Sequence, residues 1–170
     1  MTIKLLGALL ILAGACGVGL ALAAYERRQA LAMDELHRCL QWMSWQLRYK
    51  MPPLAELCRD AAKYSSGAVG QALLLFAEEL QQQVLPDPSI CMRVALSKAK
   101  KLPDQVYTRL KELGNTLGQL DLVSQIESLE AAAERCSREL QQIRSGLETR
   151  KQNYQTLSLC AGAALVILLL

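Results

Sequence analysis

Apolar residues recur along the last third of the chain at alternating steps of four and three: Leu122, Ile126, Leu129, Ala133, Cys136, Leu140, Ile143 and Leu147. That spacing keeps one face of a helix apolar, and an extended strand with its two-residue period does not produce it. The seam resumes at Tyr154 and Leu157 and then gives way to LSLCAGAALVILLL, which is uncharged and apolar all round. One long helix is therefore predicted to leave water and enter lipid. The start of the chain has the opposite order. Residues 5–24 carry no charge, and at about 1.5 Å per residue they are long enough to cross a hydrocarbon core of roughly 30 Å. The closing stretch, 154–170, reaches only about 25 Å, close to the lower limit for a span.

Between these ends every segment reads as helix. Met33, Leu36, Leu40, Met43 and Leu47 make a stripe on a first helix over 26–50, widened by Trp42, Trp45 and Tyr49, which continues directly from the first apolar stretch. Pro52-Pro53 breaks it, because proline disfavours helix at the preceding Met51 and suits the start of the next element. A second helix over 53–64 ends at Ser65-Ser66-Gly67, and Val69, Leu73, Phe76, Leu80 and Val84 mark a third, closed by Leu85-Pro86. Asp87 as N-cap and Pro88 as first helical residue open a fourth, running to about Lys101. Val106, Leu110, Leu113 and Leu117 mark a fifth, and Asp121 caps the sixth, the helix with the long seam. The expectation is an all-α protein: a six-helix bundle over 26–153, flanked by transmembrane helices at 5–24 and 154–170.

Charge draws the same boundaries. Of 19 basic and 16 acidic side chains only Lys4 lies outside 26–151. A hydrophobic share of 52% with 5% aromatics and a mean hydropathy of +0.15 suits a water-facing body with membrane ends. Arg144, Arg150 and Lys151 precede the second span and no cation follows it, which puts the body in the cytoplasm and both termini outside. Two processing patterns compete with an uncleaved first anchor: Ala21-Leu22-Ala23 as a signal-peptidase site and Ala13-Gly14-Ala15-Cys16 as a poor lipoprotein box. The apolar run exceeds an ordinary signal core, which favours the anchor. A net charge of +3 with interleaved signs excludes a nucleic-acid track.

Candidate chemistry is sparse. No phosphate-loop pattern occurs, and Cys16, Cys39, Cys58, Cys91, Cys136 and Cys160 stand singly, as small hydrophobes rather than disulfide or zinc partners. The lone His37 lies near Asp34, Glu35 and Arg38 without a nucleophile motif, and reads as an exposed or interfacial side chain. Glu78-Glu79 and Glu127/Glu130 read as solvated helix faces. No catalytic residue, cofactor, metal or small-molecule substrate is expected. The one segment that is neither plain helix nor span is Gly114-Asn115-Thr116-Leu117-Gly118-Gln119-Leu120-Asp121. Two glycines four apart, a hydroxyl and a capping aspartate make a tight interhelical corner, with a docking point as the sharper alternative. Arg48, Tyr49 and Lys50, ahead of the double proline, are either an interaction patch or cations at a helix end.

With these motifs the chain resembles the stage III sporulation protein AB family of spore-forming Firmicutes. The likeness runs nearly end to end: KLLGA, RYKMPPLAELCRDAA, LGNTLGQLD followed by Gln125, and GAALVILLL. Where that family shows Glu-Ile-x-Tyr-x-x-Thr-Pro-Leu, this chain has Gln46 for the acid and Pro52 for the threonine, and keeps Tyr49 and the Pro53-Leu54 pair. The glycine segment is also similar to the cytoplasmic domain of the type II secretion F platform proteins, which often carry glutamate where Asn115 stands. The resemblance implies a type II secretion F-like bundle tethered in the mother-cell membrane. It further implies a platform subunit of the channel between mother cell and forespore, meeting a secretion-type ATPase and other membrane subunits. Gly114, Thr116, Gly118, Asp121, Tyr49 and Pro53 are the candidate turn and interaction residues. A membrane-anchored helical scaffold or regulator unrelated to secretion is the alternative.

Overall fold

A computed structural model describes the backbone of residues 2–65, 67–82, 87–99 and 102–169, and within these the side chains of residues 24–146. Among the described residues there are six helices and no strand: α1 (Thr2–Tyr49), α2 (Leu54–Lys63), α3 (Ala68–Gln82), α4 (Pro88–Lys98), α5 (Asp104–Gly114) and α6 (Leu122–Leu169). The first and last are 48 residues each, so the expected spans are helical in backbone and continuous with the helices that follow or precede them. Among the described residues no helix is long and apolar enough to cross a membrane. Apart from Ala24, the candidate spans 5–24 and 154–170 lie outside the described side chains, as do Leu147, Tyr154, Leu157, Cys16 and Cys160; Val84, Lys100 and Lys101 lie outside the described residues altogether.

The chain divides into two units. One comprises residues 1–27 and 141–170, the helical ends of α1 and α6. The other, residues 28–140, is the helical body and carries the side chains discussed below.

Within the body most of the predicted stripe positions are buried, while Leu80, Leu122 and Ile126 are half-buried. Met33, Leu36, Leu40, Met43 and Leu47 of α1 are buried, as are Leu129, Ala133, Cys136 and Leu140 of α6. Val69, Leu73 and Phe76 of α3 and Val106, Leu110 and Leu113 of α5 join them, together with Leu57 and Cys58 of α2 and Met92 and Leu96 of α4. Each fully buried Leu, Met or Phe contributes about 1.5–3 kcal/mol relative to exposure, so this apolar set outweighs the surface ion pairs. Cys39, Cys58, Cys91 and Cys136 are buried free thiols, consistent with small hydrophobes. Desolvation pushes the Cys58 thiol up to about 12 and those of Cys39 and Cys136 up to about 11.

The helix boundaries follow from local chemistry. Pro53 stands at the N-cap of α2 with φ −55° and ψ 145°, and its carbonyl accepts the Leu57 N–H at 2.9 Å. Asp87 caps α4, its carboxylate accepting the Ser89 N–H at 2.9 Å, with Pro88 first in the helix as expected. Two boundaries differ from the sequence reading. Ala99 turns extended, so α4 stops at Lys98, ahead of the extended approach that Pro103 requires. Helix α5 ends at Gly114, and Leu117 reaches the core from the following turn rather than from the helix.

Two further expectations are corrected. Trp45 and Tyr49 do not widen the buried stripe of α1: they are 51% and 66% exposed. At 3.6 residues per turn they fall on nearly the opposite side of the helix from Met33, Leu40 and Leu47. Glu79, read as solvated, is buried, whereas its neighbour Glu78 is exposed. Glu79 shares the face of Val69 and Phe76, and a carboxylate is accommodated there because Lys98 of α4 reaches across to pair with it.

Candidate functional site

The distinctive glycine segment becomes a corner where four helix ends meet. Gly114 closes α5 in the core, and a Cβ placed there would lie 2.5 Å from Met92 Cβ and 2.7 Å from its Cγ. Those atoms are too near the α4 backbone to swing aside, so the absence of a side chain is what lets α4 and α5 approach. Three residues on, the carbonyl of Leu113 accepts the backbone N–H of Leu117 at 3.0 Å and the Thr116 hydroxyl at 3.1 Å. The chain reverses at Gly118, whose φ of +78° is a conformation that favours glycine. A Cβ on Gly118 would sit 3.2 Å from Leu54 Cδ2 and 3.2 Å from Pro88 Cγ, so the turn presses on the first residues of α2 and α4.

Polar groups fasten the same corner. Gln119 Nε2 donates to Asp87 Oδ1 at 3.0 Å, on the carboxylate that caps α4. Asp121 caps α6, accepting the Ser124 N–H at 3.3 Å through its carboxylate, while its own carbonyl accepts the Gln125 N–H at 2.8 Å. Hydrogen bonding lowers both carboxyls below the usual range: the Ser89 N–H acts on Asp87, and the Ser124 hydroxyl and N–H act on Asp121. Beside the turn, Asn115 and Thr116 border an open cavity of about 350 Å³ floored by Leu36, Leu40 and Leu113. Arg109 on its wall ties α5 to α6 through Glu139 and also meets Glu112 at 2.6 Å.

The structure thus brings Gly114, Thr116, Gly118 and Asp121 together and sets Pro53's neighbour Leu54 against Gly118. Tyr49 belongs elsewhere, packed against Trp45 with ring centroids 5.2 Å apart and the planes tilted by 45°. The corner reading explains each of these turn residues by a contact inside the body.

The residues that catalysis would draw on are also engaged. His37 Nδ1 lies 2.8 Å from the Ala133 carbonyl, an acceptor only, so this nitrogen carries the proton and joins α1 to α6. Glu35 faces the other way, accepting the Gly67 N–H at 2.8 Å and the Ser65 hydroxyl, and so holds the turn between α2 and α3. Asp34 pairs with Arg38 at 3.2 Å. Among the described residues no group of His, Cys, Asp and Glu is placed to hold a metal ion. Sequence reasoning missed Glu35 and Glu79 as structural acids, because the signal for each is a partner distant in the chain.

A sequence model of the stage III sporulation protein AB family matches residues 4–170. A solved structure described as stage III sporulation protein AB is similar in fold, with a TM-score of 0.62 and 20% identity, over 71% of this chain and 97% of that one. No curated protein matches the chain.

Proposed function

The chain belongs to the stage III sporulation protein AB family, and from that premise we propose that this sporulation protein is a non-catalytic platform subunit of a secretion-like channel between mother cell and forespore. In this reading residues 5–24 and 154–170 hold it in the mother-cell membrane, and the body faces the cytoplasm. There the body docks a secretion-type ATPase while the membrane helices meet other subunits of the channel. The observation that carries the reading is the extent of the family match, from residue 4 to residue 170, which takes in both uncharged ends together with the helical body. Its support in the body is the engagement of His37, Glu35 and Asp34 in contacts between helices or along one helix, which gives each of them a structural role.

Affinity purification of the full chain from membranes of sporulating cells is the test. The expected result is retention of the secretion-type ATPase, and unimpaired sporulation in a strain carrying His37→Ala. A chain that fractionates with membranes but retains no ATPase overturns the platform reading in favour of an anchored scaffold or regulator.

A further inference from the structure

The charge of this protein is unevenly divided. The body, residues 28–140, holds 14 cations and 14 anions, so the whole surplus of three belongs to the unit formed by residues 1–27 and 141–170. The charges there are Lys4, Arg27, Arg144, Arg150 and Lys151 against Glu26 and Glu148. Apart from Lys4, all of them sit where the two long helices pass from the body to the uncharged ends, and Arg28 adjoins them.

Helix register fixes the depth of each charge. His37 of α1 meets Ala133 of α6, and both helices are unbroken from there to residues 2 and 169. Their ends share one unit, so the helices run antiparallel, and each rises about 1.5 Å per residue. Positions whose numbers sum to about 170 therefore share a level, to within about a turn. The division between the units, after residue 27 in α1 and before residue 141 in α6, falls at one level on the same count. Lys151 is then level with Gly19, Arg150 with Leu20 and Glu148 with Leu22. A hydrocarbon layer that covered α1 up to Ala24 would take in all three charges, the deepest by about 7 Å, at a depth where ionised side chains are costly. Residues 152–170 carry no charge and reach about 28 Å without them, nearly a whole hydrocarbon core.

We propose that the inner boundary of the hydrocarbon meets this helix pair at Gly19 and Lys151 rather than at Ala24, and that Arg27, Arg28, Arg144, Arg150 and Lys151 form a collar that binds acidic phospholipid headgroups. The proposal rests on the membrane reading above and sharpens it, narrowing the anchor of α1 to about residues 2–18. Arg150 and Lys151 stand at the headgroup layer, and Arg27, Arg28 and Arg144 follow within about one Debye length of it. Each Lys or Arg so placed strengthens attraction to an anionic leaflet about fivefold, and Glu26 and Glu148 offset only two of the five. Lipid is the occupant these positions meet, because headgroups surround a helix pair at that level on every free side.

The full chain reconstituted in phosphatidylcholine vesicles tests both halves. Depth is read by quenching with lipid brominated at mid-chain, from Leu6→Trp and, separately, Leu22→Trp, after subtraction of the parent signal. Position 6 should be quenched about threefold or more strongly than position 22. Equal quenching, which a span of 5–24 requires because both positions lie about equally far from its centre, would overturn the boundary. Quenching at neither would show that the ends do not enter lipid, and the membrane reading would fall with the proposal. Headgroup preference is read at low salt from spin-labelled phosphatidylglycerol against spin-labelled phosphatidylcholine. The acidic lipid should associate about fivefold or more strongly; Arg150→Gln with Lys151→Gln should bring that ratio to about two or below, and Lys111→Gln on the body should leave it unchanged. No preference in the parent would overturn the collar. So would a preference that inorganic phosphate abolishes while chloride of equal ionic strength does not, since that marks a site for free anions. ATPase retention lost in the double variant without any lipid preference would overturn it in favour of a protein partner.

Discussion

In the turn after α5 each unusual residue answers to a contact: Gly114 to Met92, Gly118 to Leu54 and Pro88, Asp121 to Ser124. On the outer face of α1 Trp45 and Tyr49, and just beyond its end Met51, meet mainly solvent. Read as sequence, the first region is the more distinctive, a tight interhelical corner with a docking point as the sharper alternative, and Arg48-Tyr49-Lys50 is either an interaction patch or a helix end. Folded, the corner accounts for its own residues by internal contacts, and the aromatics of α1 do not. A motif can be distinctive because a corner of the fold admits only those residues, whereas large apolar side chains that the fold leaves outside are available to another molecule. The two regions should therefore respond to substitution in opposite ways.

The largest effect is expected at the corner. Gly114→Leu should destabilise the body by about 3 kcal/mol in urea unfolding, through overpacking against Met92. Gly114→Ala should already be clearly destabilised, since its Cβ alone conflicts with Met92 Cβ; an alanine variant as stable as the parent would remove the close approach of α4 and α5. Alkylation gives a second contrast between inside and outside. At neutral pH, Cys39, Cys58, Cys91 and Cys136 should react with iodoacetamide about a hundredfold or more slower in the folded chain than after unfolding, followed by peptide mapping. Burial both hides these thiols and disfavours the thiolate.

Gly118→Ala should cost about 1–2 kcal/mol because φ is +78°, and Gly118→Asn less, as asparagine tolerates that region better. A smaller effect is expected from the two capping acids. Hydrogen bonds lower the Asp87 and Asp121 carboxyls in the folded state, so their stabilisation is complete above the unfolded value near 4 and is lost as pH falls through the folded values. The urea midpoint of the parent should therefore drop more steeply between pH 5 and pH 2.5 than that of a chain carrying Asp87→Asn and Asp121→Asn. Equal slopes would mean that the caps hold no differential charge. Smallest of all, Trp45→Ala and Tyr49→Ala should change stability by no more than about 0.5 kcal/mol, since neither side chain supports the core. A loss comparable to that of Gly114→Ala would show that the aromatic face is structural after all.

Much of the fold was legible in advance. The stripes of α1, α3, α5 and α6 and the caps at Asp87 and Asp121 all lie where periodicity and capping chemistry put them, because a helix is specified by residues within a few positions of one another. The corner was legible in kind: two glycines and a capping acid announced a turn. What it pressed against was not, since Met92, Leu54 and Pro88 lie far away along the chain. The outward side of α1 was legible too, since at 3.6 residues per turn Trp45 and Tyr49 fall nearly opposite Met33, Leu40 and Leu47, and widening the stripe to include them disregards that period.

By itself, then, the sequence determined the helices, their limits at Pro53, Asp87 and Asp121, the uncharged ends and the kinship with the sporulation family, all of which rest on local chemistry or on motif identity. Tertiary structure alone decided that Gly114 is a point of contact between helices and that Glu79 and Glu35 serve the body. Those facts depend on which surfaces meet in space, and burial is a property of the assembled helices rather than of any one of them.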